Sequence, residues 1–232
     1  MSYKSPIEDF KYNLAMLNYD EVIAGIEKFK EYDSETLMSV VSEIGRLNEQ
    51  EVIDSNKIGD REGLKYVTDG AEGPEVHTPE RFKKLYDAVK SSGYVGATMP
   101  TQYGGGGAPF TTAILAGEIG IAANMAFYMG PGLSHGAMKT ILKKATEELK
   151  DKYLPNMTSG EWMGTMCLTE PQCGTDLGLI KSTAVPKDDH YELTGQKIWI
   201  SFGEHDLTEN IIHLVLARTP DAPEGIKGIS LF

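Results

Sequence analysis

Cysteine is scarce in this chain. Cys167 and Cys173 are the only two among 232 residues. So few cannot build a disulfide framework, and their spacing matches no zinc pattern. The scarcity points to a reduced, cytoplasmic setting. Basic residues are also short, at 22 Lys+Arg against 34 Asp+Glu, which leaves a net charge of −12. That balance argues against nucleic acid or an anionic membrane as the main partner. Long uncharged apolar runs are missing too, so no membrane span is expected. The most apolar stretch, Phe110 to Gly132, is interrupted by Glu118 and several glycines. The opening residues, Met1 to Asp9, offer no apolar signal core and no Arg-rich presequence. With 41% hydrophobic and 24% charged residues, the remainder is globular in character. The length suits one large domain or two small ones.

The first two-thirds has helical periodicity. Ser5-Pro6-Ile7-Glu8 has the spacing of a capping box, with Phe10, Leu14 and Leu17 following on one face. Asp20 is expected to cap a second helix that runs through Tyr32. From Ser34, apolar residues recur at three and four, which predicts a long amphipathic helix to about Lys57. Residues 58–77 read as a loop. Thr78-Pro79-Glu80 opens another helix, ended by Gly93. Further helices are expected near 110–127, 132–144 and 146–153. Beyond Gly160 the pattern changes. Short segments at 162–169, 180–186, 190–194, 196–201, 210–217 and 226–232 are rich in strand formers, with Asp188-Asp189 as a hairpin turn. Helices first and strands afterwards argue for an α+β chain. An all-helical domain over 1–158 would precede an incomplete antiparallel β domain over 159–232.

Several motifs invite a functional reading. Gly104 to Gly107 lacks the Lys-Ser/Thr of a phosphate loop, and a flexible connector is the plainer reading. Gly130-Pro131-Gly132 to Gly136 is preceded by helix and carries proline where a dinucleotide fingerprint needs glycine, so packing or a pocket wall fits better. His135 reads as structural, Glu204-His205-Asp206 as a polar loop, and Cys167 as a buried thiol. The informative segment is Trp162 to Asp176, a strand running into Thr169-Glu170-Pro171 and then a Gly174-Thr175-Asp176 turn. Backbone N–H groups and hydroxyls in such a turn suit an anionic or carbonyl-rich ligand. Further on, Gly195-Gln196-Lys197-Ile198-Trp199-Ile200-Ser201 would place an indole and a hydroxyl on one face of a strand. The pair could serve a flat ring, or Trp199 could simply be core.

Together, the strings Met166 to Asp176 and Gly195 to Ser201 resemble the acyl-CoA dehydrogenase family. Gly93-Tyr94 through Tyr103-Gly104-Gly105, Glu147 to Pro155 and Ser159-Gly160-Glu161 support it along essentially the whole chain. Gly203 to His213 and Ala217 to Gly225 are similar to the branch that holds methylmercaptopropionyl-CoA dehydrogenase and broad-range fatty acyl-CoA dehydrogenases.

The resemblance implies FAD-dependent α,β-dehydrogenation of an acyl-CoA, in fatty acid metabolism or dimethylsulfoniopropionate catabolism. It also implies an electron-transferring flavoprotein as partner and a homodimer or tetramer. It implies that Thr169 bonds the pyrimidine side of the flavin and that the backbone of Met166, Cys167 and Leu168 lines the ring edge. Trp199 would lie against the ring, Ile200 would also contact the cofactor, and Ser201 would bond near N5. Gly174 and Thr175 would form the mouth, with Thr175 also near the substrate's CoA. Met125 to Leu133 would wall the acyl pocket. Cys173 stands where the family has a small residue, and Thr175 and Ser201 exchange one hydroxyl residue for another. The family's catalytic glutamate and C-terminal four-helix domain have no counterpart here, and Glu170 belongs to a structural motif. The chain therefore reads as a fragment, cut within the strand at Ser230-Leu231-Phe232 and poorly stable alone. Two other readings stand beside it: a truncated module that binds a CoA ester or a partner without chemistry, and an oxygen-using flavin oxidase or monooxygenase on the same fold.

Overall fold

The computed structural model describes residues 3–70 and 73–232. Residues 1–2, within the stretch searched for a targeting signal, and 71–72, within the expected 58–77 loop, lie outside the described residues. Helices occupy the first part, as α1 (Ile7–Met16), α2 (Tyr19–Ala24), α3 (Ser34–Leu47), α4 (Ile53–Glu62), α5 (Glu80–Ser91), α6 (Phe110–Lys144) and α7 (Glu147–Ser159). Strands dominate the rest, as β3 (Trp162–Cys167), β4 (Thr183–Pro186), β5 (Tyr191–Thr194), β6 (Asn210–Ala217) and β7 (Ser230–Leu231). The α+β order expected from the pattern holds.

Helix boundaries differ from the sequence expectation where capping side chains act elsewhere. Pro6 precedes α1 with no side-chain cap, and Glu8 pairs with Lys11 instead of closing a box. Asp20 does not cap α2. It accepts from the backbone N–H and hydroxyl of Ser34, and Asp33 accepts from the Thr36 N–H, so both carboxylates secure the start of α3. The long amphipathic helix continues past Lys57: a π turn at Asn48–Val52 joins α3 to α4, and Gly63 in the left-handed region ends it. The expected 58–77 loop contains a hairpin, β1 (Lys65–Gly70) antiparallel to β2 (Gly73–His77). No residue of either strand is buried, so no alternation of core and solvent residues announces them.

The helix α6 merges two expected helices, but it breaks at Asn124 (φ −155°, ψ 91°), before the Gly-Pro-Gly run. Buried Asn124 donates to Ser55 Oγ at 2.7 Å and accepts from the Phe127 N–H at 3.1 Å, capping the second half of α6. By length and composition α6 could cross a membrane, contrary to the expectation from Glu118 and the glycines. Here it packs against α3, α4, α7 and β3. The main core gathers along it, with Phe127, Met138, Leu154, Met157 and Met163 sealed from solvent. Gly164 allows the β3 contact, since a Cβ there would meet Ala137 and Met157 at 2.7 Å.

The β part, expected to be antiparallel, is mixed. β4 and β5 form the expected antiparallel hairpin across Asp188-Asp189, and β7 pairs antiparallel with β6. β3 pairs parallel with β6, Trp162 opposite Asn210 through Cys167 opposite Val215. The long connection carrying the β4–β5 hairpin brings β6 back in the same direction. The glycine run at 104–107 is no flexible connector. Gly106 and Gly107 donate to Gly96 and Met99 carbonyls, and a Cβ on Gly105 would collide with the Met99 carbonyl.

Candidate functional site

β3 delivers the first motif. Met166 and Cys167 end the strand, Leu168 and Thr169 follow, and the chain reverses at Glu170-Pro171-Gln172-Cys173. The Glu170 N–H donates to Cys173 O at 2.8 Å and the Cys173 N–H donates back at 3.0 Å, with proline in the second place of the turn. Cys167 is buried, as expected.

Glu170 is only 3% exposed. Its oxygens accept from Lys181 N–H (2.8 Å), Ser182 N–H (3.0 Å), Gln172 Nε2 (2.6 Å) and Lys197 Nζ (2.8 Å). Burial pushes its pKa up, but Lys197 and the other donors outweigh burial and hold it at about 2. Lys197 Nζ also donates to Leu168 O at 3.0 Å, and the Ile198 N–H donates to Thr169 O at 3.0 Å. The two motif strings are thus laid against each other.

Residues 196–201 are not the expected strand. One backbone bond and one lysine hold this segment to the end of β3, and no ladder forms. Trp199 and Phe202 take left-handed backbone angles, φ +59° and +55°. Bulky residues seldom do so, and each costs about 1–3 kcal/mol. The strand argument for a shared face therefore fails at Trp199. The alternative that Trp199 is core fails as well: the residue is 86% exposed.

Downstream, Asp206 forms a second anchor. It accepts from the Thr78 N–H (2.9 Å) and hydroxyl (2.6 Å), pairs with Lys83 at 2.8 Å and meets His77 Nδ1 at 3.0 Å. Burial pushes this carboxyl up; Lys83, Thr78 and His77 win and hold it well below the usual range. Phe202 seats on α6 at Gly130, where a Cβ would meet its ring at 2.6 Å. The Gly-Pro-Gly run is thus a packing site. His205, expected in a polar loop, is buried. Its Nδ1 accepts from the Leu207 N–H at 3.2 Å, and burial pushes its pKa down to about 4. No cluster of three His, Cys, Asp or Glu suited to a metal occurs among the described residues.

Between the anchors, residues 200–205 line a cleft of about 630 Å³. Leu64, Val76 and Phe82 form one wall; Asn124, Ala126 and Met129 of α6 form another. Of Met125 to Leu133, only Ala126 and Met129 line this cleft, while Phe127, Tyr128, Gly130 and Pro131 are buried. A cleft of about 640 Å³ between α1, α2 and α3 contains none of the motif residues.

Models of two consecutive domains match this chain: the acyl-CoA dehydrogenase N-terminal domain over residues 65–161 and the middle domain over 165–232. The chain belongs to the acyl-CoA dehydrogenase family. It is 39% identical to the 3-methylmercaptopropionyl-CoA dehydrogenase of Ruegeria pomeroyi, over 100% of this chain and 39% of that protein. It is 33% identical to the broad-specificity linear acyl-CoA dehydrogenase FadE5 of Mycobacterium tuberculosis, over 99% of this chain and 37% of that protein. Its fold is similar to an acyl-CoA dehydrogenase from Bacillus anthracis complexed with FAD, with a TM-score of 0.67 and 25% identity over 87% of this chain and 32% of that one. The chain thus spans about two-fifths of the length of these curated relatives.

In this chain, Leu168 and Thr169 lie directly against Lys197 and Ile198, and so beside Trp199, Ile200 and Ser201. Gly174 packs on Thr169, since a Cβ there would sit 3.5 Å from its methyl group, and Thr175 is exposed just beyond. Sequence reasoning missed Lys197, Asp206, Thr78, Lys83 and Phe202. The one available signal was a lysine inside an otherwise apolar Ile-Trp-Ile context. The partners of Asp206 lie more than 120 residues away, and nothing local announces them.

Proposed function

We propose that this chain forms the N-terminal and middle-domain part of an FAD-dependent acyl-CoA dehydrogenase, with a helical domain at 1–158 and a β domain from 159. One observation carries the reading: Trp199 is 86% exposed, yet its backbone is fixed in a strained conformation beside the end of β3. A solvent-facing indole held that way suits a planar heteroaromatic ligand. The surrounding groups fit an isoalloxazine ring. Trp199 and Ile200 would cover one face, and the Thr169 and Ser201 hydroxyls would bond ring heteroatoms. The backbone of Met166, Cys167 and Leu168 would border the edge. Gly174 leaves room beside Thr169, and Thr175 would stand at the mouth, near pyrophosphate and CoA.

When bound, FAD would accept the hydride from the β-carbon of the acyl-CoA. This chain's own contribution is binding, orientation and exclusion of water. The cleft beside Ser201, with Met129 and Phe82 in its walls, would take the acyl tail. No acidic residue here is assigned as the base for the α-proton. Glu170 is sealed from solvent and committed to four donors. Similarity to the Ruegeria and Mycobacterium relatives supports methylthiopropanoyl-CoA or a fatty acyl-CoA as substrate. An electron-transferring flavoprotein as acceptor, assembly as a homodimer or tetramer and a cytoplasmic location complete the proposal.

Titration with FAD, followed by its visible spectrum, tests the reading. The chain should bind FAD, and Trp199→Ala should weaken binding at least tenfold, or about 1.4 kcal/mol. Equal affinity in the two would contradict it.

A further inference from the structure

We propose that Lys197 is a positioning residue, whose buried pair with Glu170 holds Trp199 outward in its left-handed conformation. The proposal rests on the flavin reading above but adds a cause for the geometry. The Lys197 side chain enters the protein two residues before Trp199 and reaches both Leu168 O and Glu170. It is 12% exposed and its partner 3%. The Ile198 N–H fixes the intervening residue to Thr169 O. Trp199 itself gains nothing from burial, since its side chain lies in solvent. The force that keeps an unfavourable φ must therefore come through its neighbours.

On the far side, Phe202 seats on Gly130 and Asp206 is tied to Thr78 and Lys83. Residues 198–205 are strung between a carboxylate in the β part and one bound to the helical part. Two left-handed residues, Trp199 and Phe202, fall inside that span. A buried ion pair is a poor source of stability, because apolar residues of like volume often do as well or better. Specifying one geometry is the better-attested use of such a pair. Here the geometry specified is that of an exposed indole beside the open end of β3.

The experiment uses the chain with Trp162→Phe, so that Trp199 is the sole tryptophan. Lys197→Met and the double variant Lys197→Met with Glu170→Gln are compared with it. The double variant leaves no uncompensated buried charge. Three readouts are taken: thermal melting, the fluorescence anisotropy decay of Trp199, and FAD affinity. The double variant should melt cooperatively, its indole should gain fast nanosecond motion, and FAD should bind roughly tenfold more weakly, or about 1.4 kcal/mol. Lys197→Arg, which keeps charge and donors, should restore both. A folded double variant with unchanged anisotropy and affinity would overturn the proposal. So would loss of folding in both apolar variants, which would make the lysine purely structural. If the parent chain takes up no FAD, the flavin reading fails, while the anisotropy still decides whether Lys197 positions Trp199.

Discussion

The helical half and the segment 195–206 are secured by opposite means. Along α3 and α6, apolar side chains interlock: Val41, Phe127 and Met138 lose all their exposure, and few polar groups are involved. In 195–206 little apolar surface is buried beyond Phe202 and His205. Two carboxylates hold it, Glu170 through Lys197 and Asp206 through Thr78, Lys83 and His77. Apolar packing is non-directional and tolerates many backbone paths. Charge-assisted hydrogen bonds are directional and fix one path, including a strained one. A molecule that needs a single side chain presented to solvent at a set angle is served by the second kind.

The comparison breaks hardest in the core. Phe127 is fully buried, edge-on to Phe82 and Tyr128. Phe127→Ala should cost about 3–5 kcal/mol in urea unfolding, while the anchors of 195–206 stay intact in the folded fraction. A loss under 1 kcal/mol would mean that the packing is looser than described.

The polar region should appear instead in acid. The pKa of His205 is lowered from 6.5 to about 4, so the unfolded chain takes up its proton first. Its contribution is whole above pH 6.5 and declines by up to about 1.4 kcal/mol per pH unit down to 4. The pKa of Glu170 is lowered from 4.5 to about 2, so its contribution is whole above pH 4.5 and is lost as pH falls toward 2. Stability should thus fall in two successive zones, histidine before carboxylate. His205→Gln should flatten the upper zone by close to one proton; an unchanged slope would show that His205 is not the group titrating. The smallest effect on stability belongs to Trp199→Ala, within about 0.5 kcal/mol, because an exposed side chain has little packing to lose.

Legibility followed the same division. Spacing of three and four located α3, which buries one stripe, while Thr78-Pro79-Glu80 and Gly93 marked the ends of α5. β6 was legible to the residue at 210–217, and the β4–β5 hairpin from its Asp-Asp turn. The β1–β2 hairpin was not, since none of its residues is buried in a core face. The two motif strings were visible, and Glu170 was read as structural. The strand proposed for 196–201 was misplaced for a definite reason. The run of strand formers Ile198-Trp199-Ile200 mimics a strand, whereas the turn depends on a lysine reaching 29 residues back to Leu168. The break in α6 at Asn124 was hidden likewise, because its partner Ser55 lies 69 residues away.

The exposed Trp199 is proposed as a surface for a flavin ring. The direct measurement is tryptophan emission of the Trp162→Phe chain during FAD titration. Quenching should saturate at one FAD per chain, with visible flavin bands shifting over the same range. Emission that falls only in proportion to added FAD, with no saturation and no spectral shift, would contradict it.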